Sequence, residues 1–214
     1  MSPEPFVYPI VDTAICAARG LDPVVLASAC FRGGARLVQL RAKEDSTAAL
    51  LALADRLVAA GRATGALVVI NDRADVAAMS VAGGVHVGQE DLPVAAARAI
   101  VGADLMVGVS THTRDQIDRA LDSSASYIAV GPIYETGTKA TGYSARGLDL
   151  IGYAAGRGKP VVAIGGITLE RATEVLGAGA SGLAVITDLL VGDDAEERVR
   201  RFLRALPGAR SPEP

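Results

Sequence analysis

Histidine and cysteine are scarce in this chain of 214 residues, which has two of each. They are His86, His112, Cys16 and Cys30, so no zinc site of three histidines or four thiolates can form within one chain. Any metal would therefore have to be held by oxygen ligands. Basic residues are not in excess either, because 21 Lys and Arg face 24 Asp and Glu and give a net charge of -3. This balance excludes a broad basic surface for nucleic acid or an anionic membrane, so an anionic ligand must be bound locally.

Long apolar runs are missing as well. No stretch of ~18 apolar residues is available to cross a bilayer. The residues before Phe6 lack the cationic and apolar segments of a secretory signal, so both cysteines are expected to be reduced packing residues. The sequence therefore predicts a cytoplasmic protein with small-molecule substrates and without a nucleic-acid or membrane partner. A homo-oligomer is compatible with these properties.

Eight short runs of branched apolar residues recur along the chain and are separated by segments with helical spacing. Several runs are apolar on both faces, which is typical of parallel strands covered by helices. A repeat of about 27 residues fits a strand, a helix and two loops. We therefore predict the α/β class, with a single (β/α)8 TIM barrel over residues 1–206 and a disordered tail over 207–214. The predicted strands are 6–11, 37–40, 67–70, 85–87, 105–109, 127–130, 161–164 and 183–186.

An open, doubly wound sheet is the alternative fold. It is disfavoured because the first predicted strand runs into Asp12 and Thr13 without the glycines of a dinucleotide-binding turn. The GxGxxG pattern over 177–182 follows a predicted helix and precedes a strand, which is the wrong order for phosphate binding. These glycines are instead expected to end the helix and form the turn into the eighth strand.

Polar residues collect at the C-terminal ends of the predicted strands, where barrel enzymes place their chemistry. After the second strand, period-two alternation directs Gln39, Arg41 and Lys43 to one face, towards the barrel mouth. Two neighbouring cations are costly unless an anion joins them, so this cluster predicts phosphate binding. A solvated rim is the alternative interpretation.

Carboxylates follow the next two strands. Asp72 lies beside Asn71 at the end of the third strand, and Asp91 follows the fourth, with Glu90 as a substitute. Either acid alone could equally cap the next helix. Together, beside the cationic cluster, they are suited to Mg²⁺, which takes one or two carboxylates with water and phosphate oxygens.

The later strand ends carry hydroxyl groups and glycines. Ser110 and His112 follow the fifth strand, and the loop 131–145 after the sixth has the composition of a lid over phosphate, with Lys139 as its cation. Gly166 and Thr187 follow the last two strands, which form the usual phosphate site of barrel enzymes. The alternatives are an ordinary surface loop after the sixth strand and two tight turns with Thr168 and Thr187 as helix caps.

The whole chain resembles the thiamine phosphate synthase family. The resemblance rests on the motifs QLRAK, INDRADVA, VHVGQEDLP, GVSTHT, YIAVGPIYETGTK, VVAIGGI and AVIT, in this order. It implies an eightfold barrel that joins a 4-amino-2-methyl-5-hydroxymethylpyrimidine diphosphate to a thiazole phosphate and releases diphosphate with Mg²⁺. No nucleophilic side chain is implied, because the electron-rich pyrimidine stabilises the cation that the thiazole nitrogen attacks.

The resemblance also implies a role for particular residues. The pyrimidine diphosphate would contact Gln39, Arg41, Lys43, Asn71, Ser110 and Lys139, of which Arg41, Lys43, Ser110 and Lys139 would act in catalysis. The metal would be held by Asp72 and Asp91. The thiazole phosphate would contact Thr136, Gly137, Thr138, Gly166, Ile186 and Thr187.

Three positions depart from the family's usual residues. Gly83 replaces Asp, Glu135 replaces Pro and Thr187 replaces Ser, and none of these changes removes a ligand atom. Two alternative functions stay open. A thiazole tautomerase would use His112 of the GxSxH turn, and a sensor barrel would bind thiamine phosphates without catalysis.

Overall fold

The computed structural model describes residues 4–136 and 142–207. Within them, eight parallel strands each pair with their sequence neighbours, and the last pairs with the first, so that the sheet closes into a barrel. The predicted (β/α)8 barrel is confirmed. The strands are β1 (Phe6–Asp12), β2 (Leu37–Arg41), β3 (Leu67–Asn71), β4 (Gly84–Val87), β5 (Met106–Thr111), β6 (Tyr127–Val130), β7 (Val161–Ile164) and β8 (Gly182–Val185).

Helices connect the strands on the outside of the barrel. Two short 3-10 helices, Leu169–Arg171 and Thr187–Leu190, follow β7 and β8, so the helix predicted from 169 to 176 is divided in two. The α-helices are α1 (Thr13–Ala18), α2 (Pro23–Arg32), α3 (Thr47–Arg62), α4 (Ala74–Met79), α5 (Val94–Val101), α6 (Arg114–Leu121), α7 (Asp149–Ala154), α8 (Ala172–Gly177) and α9 (Ala195–Arg204).

Local sequence explains where the longer helices begin. Asp22 accepts hydrogen bonds from the backbone N–H groups of Val24 and Val25, and Pro23 occupies the first turn of α2, where its missing N–H is not needed. Ser46 accepts from Ala49 N at the start of α3. Leu50 and Leu57 of α3 are then buried against the sheet. These caps and apolar faces place the helices over the outer surface of the strands.

The alternation of side chains divides the core into two layers. Residues such as Leu40 and Ile70 point outwards and pack with the helices. A separate cluster, which includes Tyr8, Val69 and Tyr127, fills the inside of the barrel. Because the strand ends lie at one opening, polar residues that follow the strands meet there.

None of the helices in the described residues is both apolar enough and long enough to span a membrane.

Candidate functional site

Two adjoining cavities lie at the C-terminal ends of the strands. The larger, of about 480 Å³, is lined mainly by the loops after β6, β7 and β8. The smaller, of about 30 Å³, lies among side chains of the first strands. Both cavities are lined by Ser110, Ile164, Ala184 and Ile186. Of the residues predicted for the two substrates, the described ones other than Lys43 therefore line one or the other of these adjoining cavities.

The smaller cavity is lined by most of the predicted pyrimidine diphosphate residues. Gln39, Asn71 and Ser110 are buried there, and Arg41 lies at its edge. The guanidinium of Arg41 is paired with the carboxylate of Asp12 at the end of β1. The same carboxylate also accepts a hydrogen bond from Ile15 N at the start of α1. Asp12 was not predicted as a site residue, and it holds Arg41 in place at the barrel mouth.

Lys43 lies beyond the end of β2 and reaches across to β3. Its Nζ is 2.7 Å from Asp72 Oδ2, and its side chain is 43% exposed. Asp72 has a φ of 63°, in the left-handed region that residues other than glycine rarely adopt. Its backbone N–H donates to the His86 carbonyl over 2.7 Å, which stabilises this turn. The Asp72 carboxylate is therefore placed by a strained backbone conformation.

Asp72 and Asp91 are neighbours, as the sequence predicts. Burial raises the pKa of Asp91, and the Asp72 carboxylate beside it raises that pKa further. Asp91 also accepts a hydrogen bond of 2.8 Å from Gly88 N. The interpretation of these acids as helix caps is wrong, because α4 and α5 begin after Arg73 and Pro93, without a side-chain cap.

This pair of acids fits a magnesium ion by its chemistry. A divalent cation is favoured beside two neighbouring carboxylates, because it offsets the repulsion between their charges. No group of three or more His, Cys, Asp or Glu side chains able to hold a metal occurs among residues 4–136 and 142–207. Two protein carboxylates leave further coordination positions for water and diphosphate oxygens, which is the pattern that Mg²⁺ prefers.

The larger cavity is lined by the predicted phosphate loops. Gly166, Ile186 and Thr187 all contribute to its wall. Gly166 has a φ of 66°, and an added Cβ would lie 2.8 Å from Tyr134 Cβ, so this position requires glycine. Thr168 makes no side-chain cap bond to the 3-10 helix that follows it, and Thr187 is itself the first residue of the next one. Thr168 thus occupies the N-cap position without the capping hydrogen bond, and the interpretation as a helix cap is wrong for Thr187.

Arginines not predicted from the sequence also border the larger cavity. Arg171 donates from Nη1 to the Gly166 carbonyl over 2.7 Å, and its guanidinium lies 4.1 Å from the centre of the Tyr134 ring. Arg19, after α1, lines the same cavity. Arg171 lies in the helix predicted from 169 to 176, and Arg19 follows α1. No local sequence pattern separates these two arginines from the others of the chain.

A buried ion pair holds the loops after β7 and β8 together. Asp188 Oδ2 accepts from Arg198 Nη2 at 2.7 Å, from Arg198 Nε at 3.0 Å and from Leu169 N at 3.2 Å. Arg198 comes from α9, and both charged side chains are less than 10% exposed. This contact joins the two phosphate loops to one another and to the last helix.

The loop after β6 is described only in part. Glu135 and Thr136 line the larger cavity, together with His112. The His112 ring stacks on Tyr143 at 4.4 Å between centroids, and its Nδ1 is hydrogen-bonded to the Gly131 carbonyl. Gly137, Thr138 and Lys139, with their predicted roles, lie outside the described residues, as does the predicted tail apart from Pro207.

The inside of the barrel contains a polar network that was not predicted. Tyr8, Tyr127 and His86 connect Gln39 to Ser110 through hydrogen bonds of 2.9 to 3.0 Å. Burial raises the pKa of the Tyr8 and Tyr127 phenols, so both hydroxyls remain protonated donors. The sequence signal was the presence of polar side chains at inward-facing positions of β1, β4 and β6. The pairing of those positions across the barrel is decided only by closure of the sheet.

Residues 7–189 match the family described as thiamine monophosphate synthase. The chain is 41% identical over 193 residues to the thiamine-phosphate synthase of Chlorobium luteolum, with 90% of this chain and 91% of that protein covered. It is 42% identical over 194 residues to the thiamine-phosphate synthase of Anaeromyxobacter dehalogenans, with 90% and 86% covered. Among solved structures, the thiamine phosphate pyrophosphorylase from Pyrococcus furiosus is similar with a TM-score of 0.84 and 29% identity, and 94% of each chain is covered.

Proposed function

The chain belongs to the thiamine monophosphate synthase family, and on this basis we propose that its barrel mouth joins an aminopyrimidine diphosphate to a thiazole phosphate. The family and the transferase class predicted from the sequence are confirmed. The observation that carries the proposal is the meeting of the two cavities at Ser110. One cavity has the predicted pyrimidine residues in its wall and the other has the phosphate loops, so the two substrates would lie side by side.

The reaction requires one C–O bond to break and one C–N bond to form. The pyrimidine methylene loses diphosphate, and the lone pair of the thiazole nitrogen then bonds to that carbon. No proton has to be removed, so the reaction requires neither a nucleophilic side chain nor a general base. Holding the two reactants together can supply roughly 7–11 kcal/mol of the barrier.

Charge neutralisation is the second contribution of this chain. Arg41 and Lys43 would contact the diphosphate as it leaves, and Asp12 would keep Arg41 in position. One preorganised contact of this type is worth roughly 3–4 kcal/mol. Asp72 and Asp91 would hold Mg²⁺, which when bound supplies positive charge to the leaving group. Lys139 belongs to the same proposal from the sequence alone.

The thiazole phosphate would bind at the loops after β7 and β8. Backbone N–H groups near Gly166 and Thr187 would face its phosphate, and the absence of a side chain at Gly166 permits close approach. Thr136 and Ile186 line the same cavity. A cytoplasmic location and a homo-oligomer stay predictions from the sequence.

The direct test is to incubate the purified chain with both substrates and Mg²⁺ and to measure thiamine phosphate after oxidation to its fluorescent thiochrome. We expect product and diphosphate in equal amounts, and none from either substrate alone. Failure to form product with both substrates present would overturn the proposal.

A thiazole tautomerase is the second candidate, favoured by the presence of His112 in the wall of the larger cavity. The two functions separate in the His112→Asn variant. A tautomerase would lose isomerisation of the thiazole phosphate, whereas a synthase would retain most of its condensation rate.

A further inference from the structure

Five side chains inside the barrel form one continuous chain of hydrogen bonds. Gln39 Nε2 donates to Tyr8 Oη over 3.0 Å, and Tyr8 Oη is 2.9 Å from Tyr127 Oη. Tyr127 Oη is 3.0 Å from His86 Nδ1, and His86 Nε2 is 2.9 Å from Ser110 Oγ. We call these five residues the interior relay. It begins and ends at residues that line the small cavity.

The barrel is built closely around the interior relay. All five side chains are less than 10% exposed. Gly108 lies on β5 opposite Tyr127, and a Cβ at this position would lie 2.6 Å from His86 Nδ1 and still closer to the Tyr127 hydroxyl. The Tyr127 ring also packs edge-on against Tyr8 and stacks on His86. Polar side chains packed this closely have little freedom to change partners.

One consistent direction can be assigned along the interior relay, starting from the Gln39 amide. Tyr8 Oη accepts from Gln39, so its own hydrogen is available to donate to Tyr127. Tyr127 can then donate to His86 Nδ1, which makes that nitrogen an acceptor. In the neutral imidazole the other nitrogen carries the hydrogen, so in this direction His86 Nε2 would donate to Ser110 Oγ.

The direction of these hydrogen bonds determines which groups Gln39 and Ser110 offer to a ligand in the small cavity. The amide nitrogen of Gln39 is engaged with Tyr8, so the carbonyl oxygen is the group that can accept a hydrogen bond in the cavity. Ser110 Oγ accepts from His86, so its hydroxyl hydrogen is available to donate. The opening thus offers an acceptor from β2 and a donor from β5.

We propose that Tyr8, Tyr127 and His86 are positioning residues that select an aminopyrimidine over an oxopyrimidine by fixing this donor and acceptor arrangement. The proposal rests on the proposed function for the identity of the ligand. An exocyclic amino group donates to the Gln39 carbonyl, whereas an oxo group in its place would set two acceptors against each other. Rotation of the Gln39 amide would relieve that conflict, but Tyr8 would then have to donate to the amide oxygen. Every later bond of the interior relay, including the tautomer of His86, would have to reverse.

The first experiment compares two substrates, the 4-amino pyrimidine diphosphate and the same compound with a 4-oxo group. We expect the wild-type chain to prefer the amino compound by at least about 100-fold in kcat/KM, because a mismatched oxo group leaves buried polar atoms unpaired. Tyr8→Phe frees the Gln39 amide to rotate. The preference should fall by about tenfold, the usual effect of one neutral hydrogen bond, while KM for the thiazole phosphate stays unchanged.

The matched control is Tyr153→Phe, which removes a hydroxyl bonded to Asp118 on the helical layer. This variant should keep the wild-type preference and both KM values. If the wild type is active and Tyr8→Phe keeps its full preference, the interior relay does not select the substrate. If the wild type makes no thiamine phosphate, the proposed function fails, and the assignment of the ligand fails with it.

The second experiment tests the direction of the relay without turnover. Nitrogen-15 NMR distinguishes the two histidine tautomers, and the His112→Asn variant assigns the signals because the chain has two histidines. We expect His86 to carry its hydrogen on Nε2 in the wild type and to lose this single tautomer in Tyr127→Phe. A wild-type His86 with its hydrogen on Nδ1, or no change in Tyr127→Phe, would overturn the proposed direction.

Discussion

Removal of the Arg198 side chain should destabilise the protein more than the loss of any exposed ion pair. Arg198 and Asp188 have side chains 6% and 8% exposed, and Asp188 Oδ2 accepts two of its three hydrogen bonds from the guanidinium. In Arg198→Met the carboxylate would stay buried, and among the hydrogen bonds of the described residues it would keep the one from the Leu169 N–H. Breaking one side of a buried pair in this way typically costs about 3–5 kcal/mol.

The expected change in melting temperature follows from the size of the chain. For domains of this size, each kcal/mol corresponds to about 2–4 °C, so Tm should fall by about 6–20 °C. Urea denaturation gives the free energy of unfolding, and thermal melting gives Tm. Because Asp188 also holds the loop after β7 through Leu169, KM for the thiazole phosphate should rise in the same variant.

The control for this prediction is Arg157→Met. Arg157 is paired with Asp118 at 2.7 Å, but these side chains are 41% and 42% exposed. An exposed pair of this type contributes about 0–1 kcal/mol. If Arg198→Met loses no more stability than Arg157→Met, the buried pair does not hold the phosphate loops together.

Three further predictions concern the site itself. Asp72→Asn and Asp91→Asn should each abolish Mg²⁺ binding in calorimetry and lower turnover, and EDTA should lower turnover of the wild type in the same way; if either variant keeps wild-type binding, that residue is not a ligand. Arg41→Lys should lower kcat/KM, because a forked guanidinium can contact Asp12 and diphosphate together whereas an ammonium is a point charge, and unchanged kinetics would contradict this role. Gly166→Ala should raise KM for the thiazole phosphate, since the new Cβ would lie 2.8 Å from Tyr134 Cβ, whereas Gly177→Ala, with nothing within 4 Å, should leave KM unchanged.

The barrel was predictable because its signal is local and repeated. Runs such as 67–70 and 161–164 are apolar on both faces, a pattern that requires helices on one side and a filled interior on the other. The strand ends differ from the prediction by one or two residues, as at β5, because the final pairings depend on the neighbouring strand. Polar residues just after these runs could therefore be assigned to one opening from the sequence.

The sequence by itself determined many of the groups that surround the opening, because position after a strand is a property of the chain order. It identified Gln39, Arg41, Asp72 and Asp91, and the resemblance to a family named their substrates. Only the tertiary structure decided which groups touch. Asp12 pairs with Arg41, Asp188 pairs with Arg198, and Tyr8 is hydrogen-bonded to Tyr127, which lies 119 residues further along the chain. These contacts form between strands or helices that the closed barrel brings together.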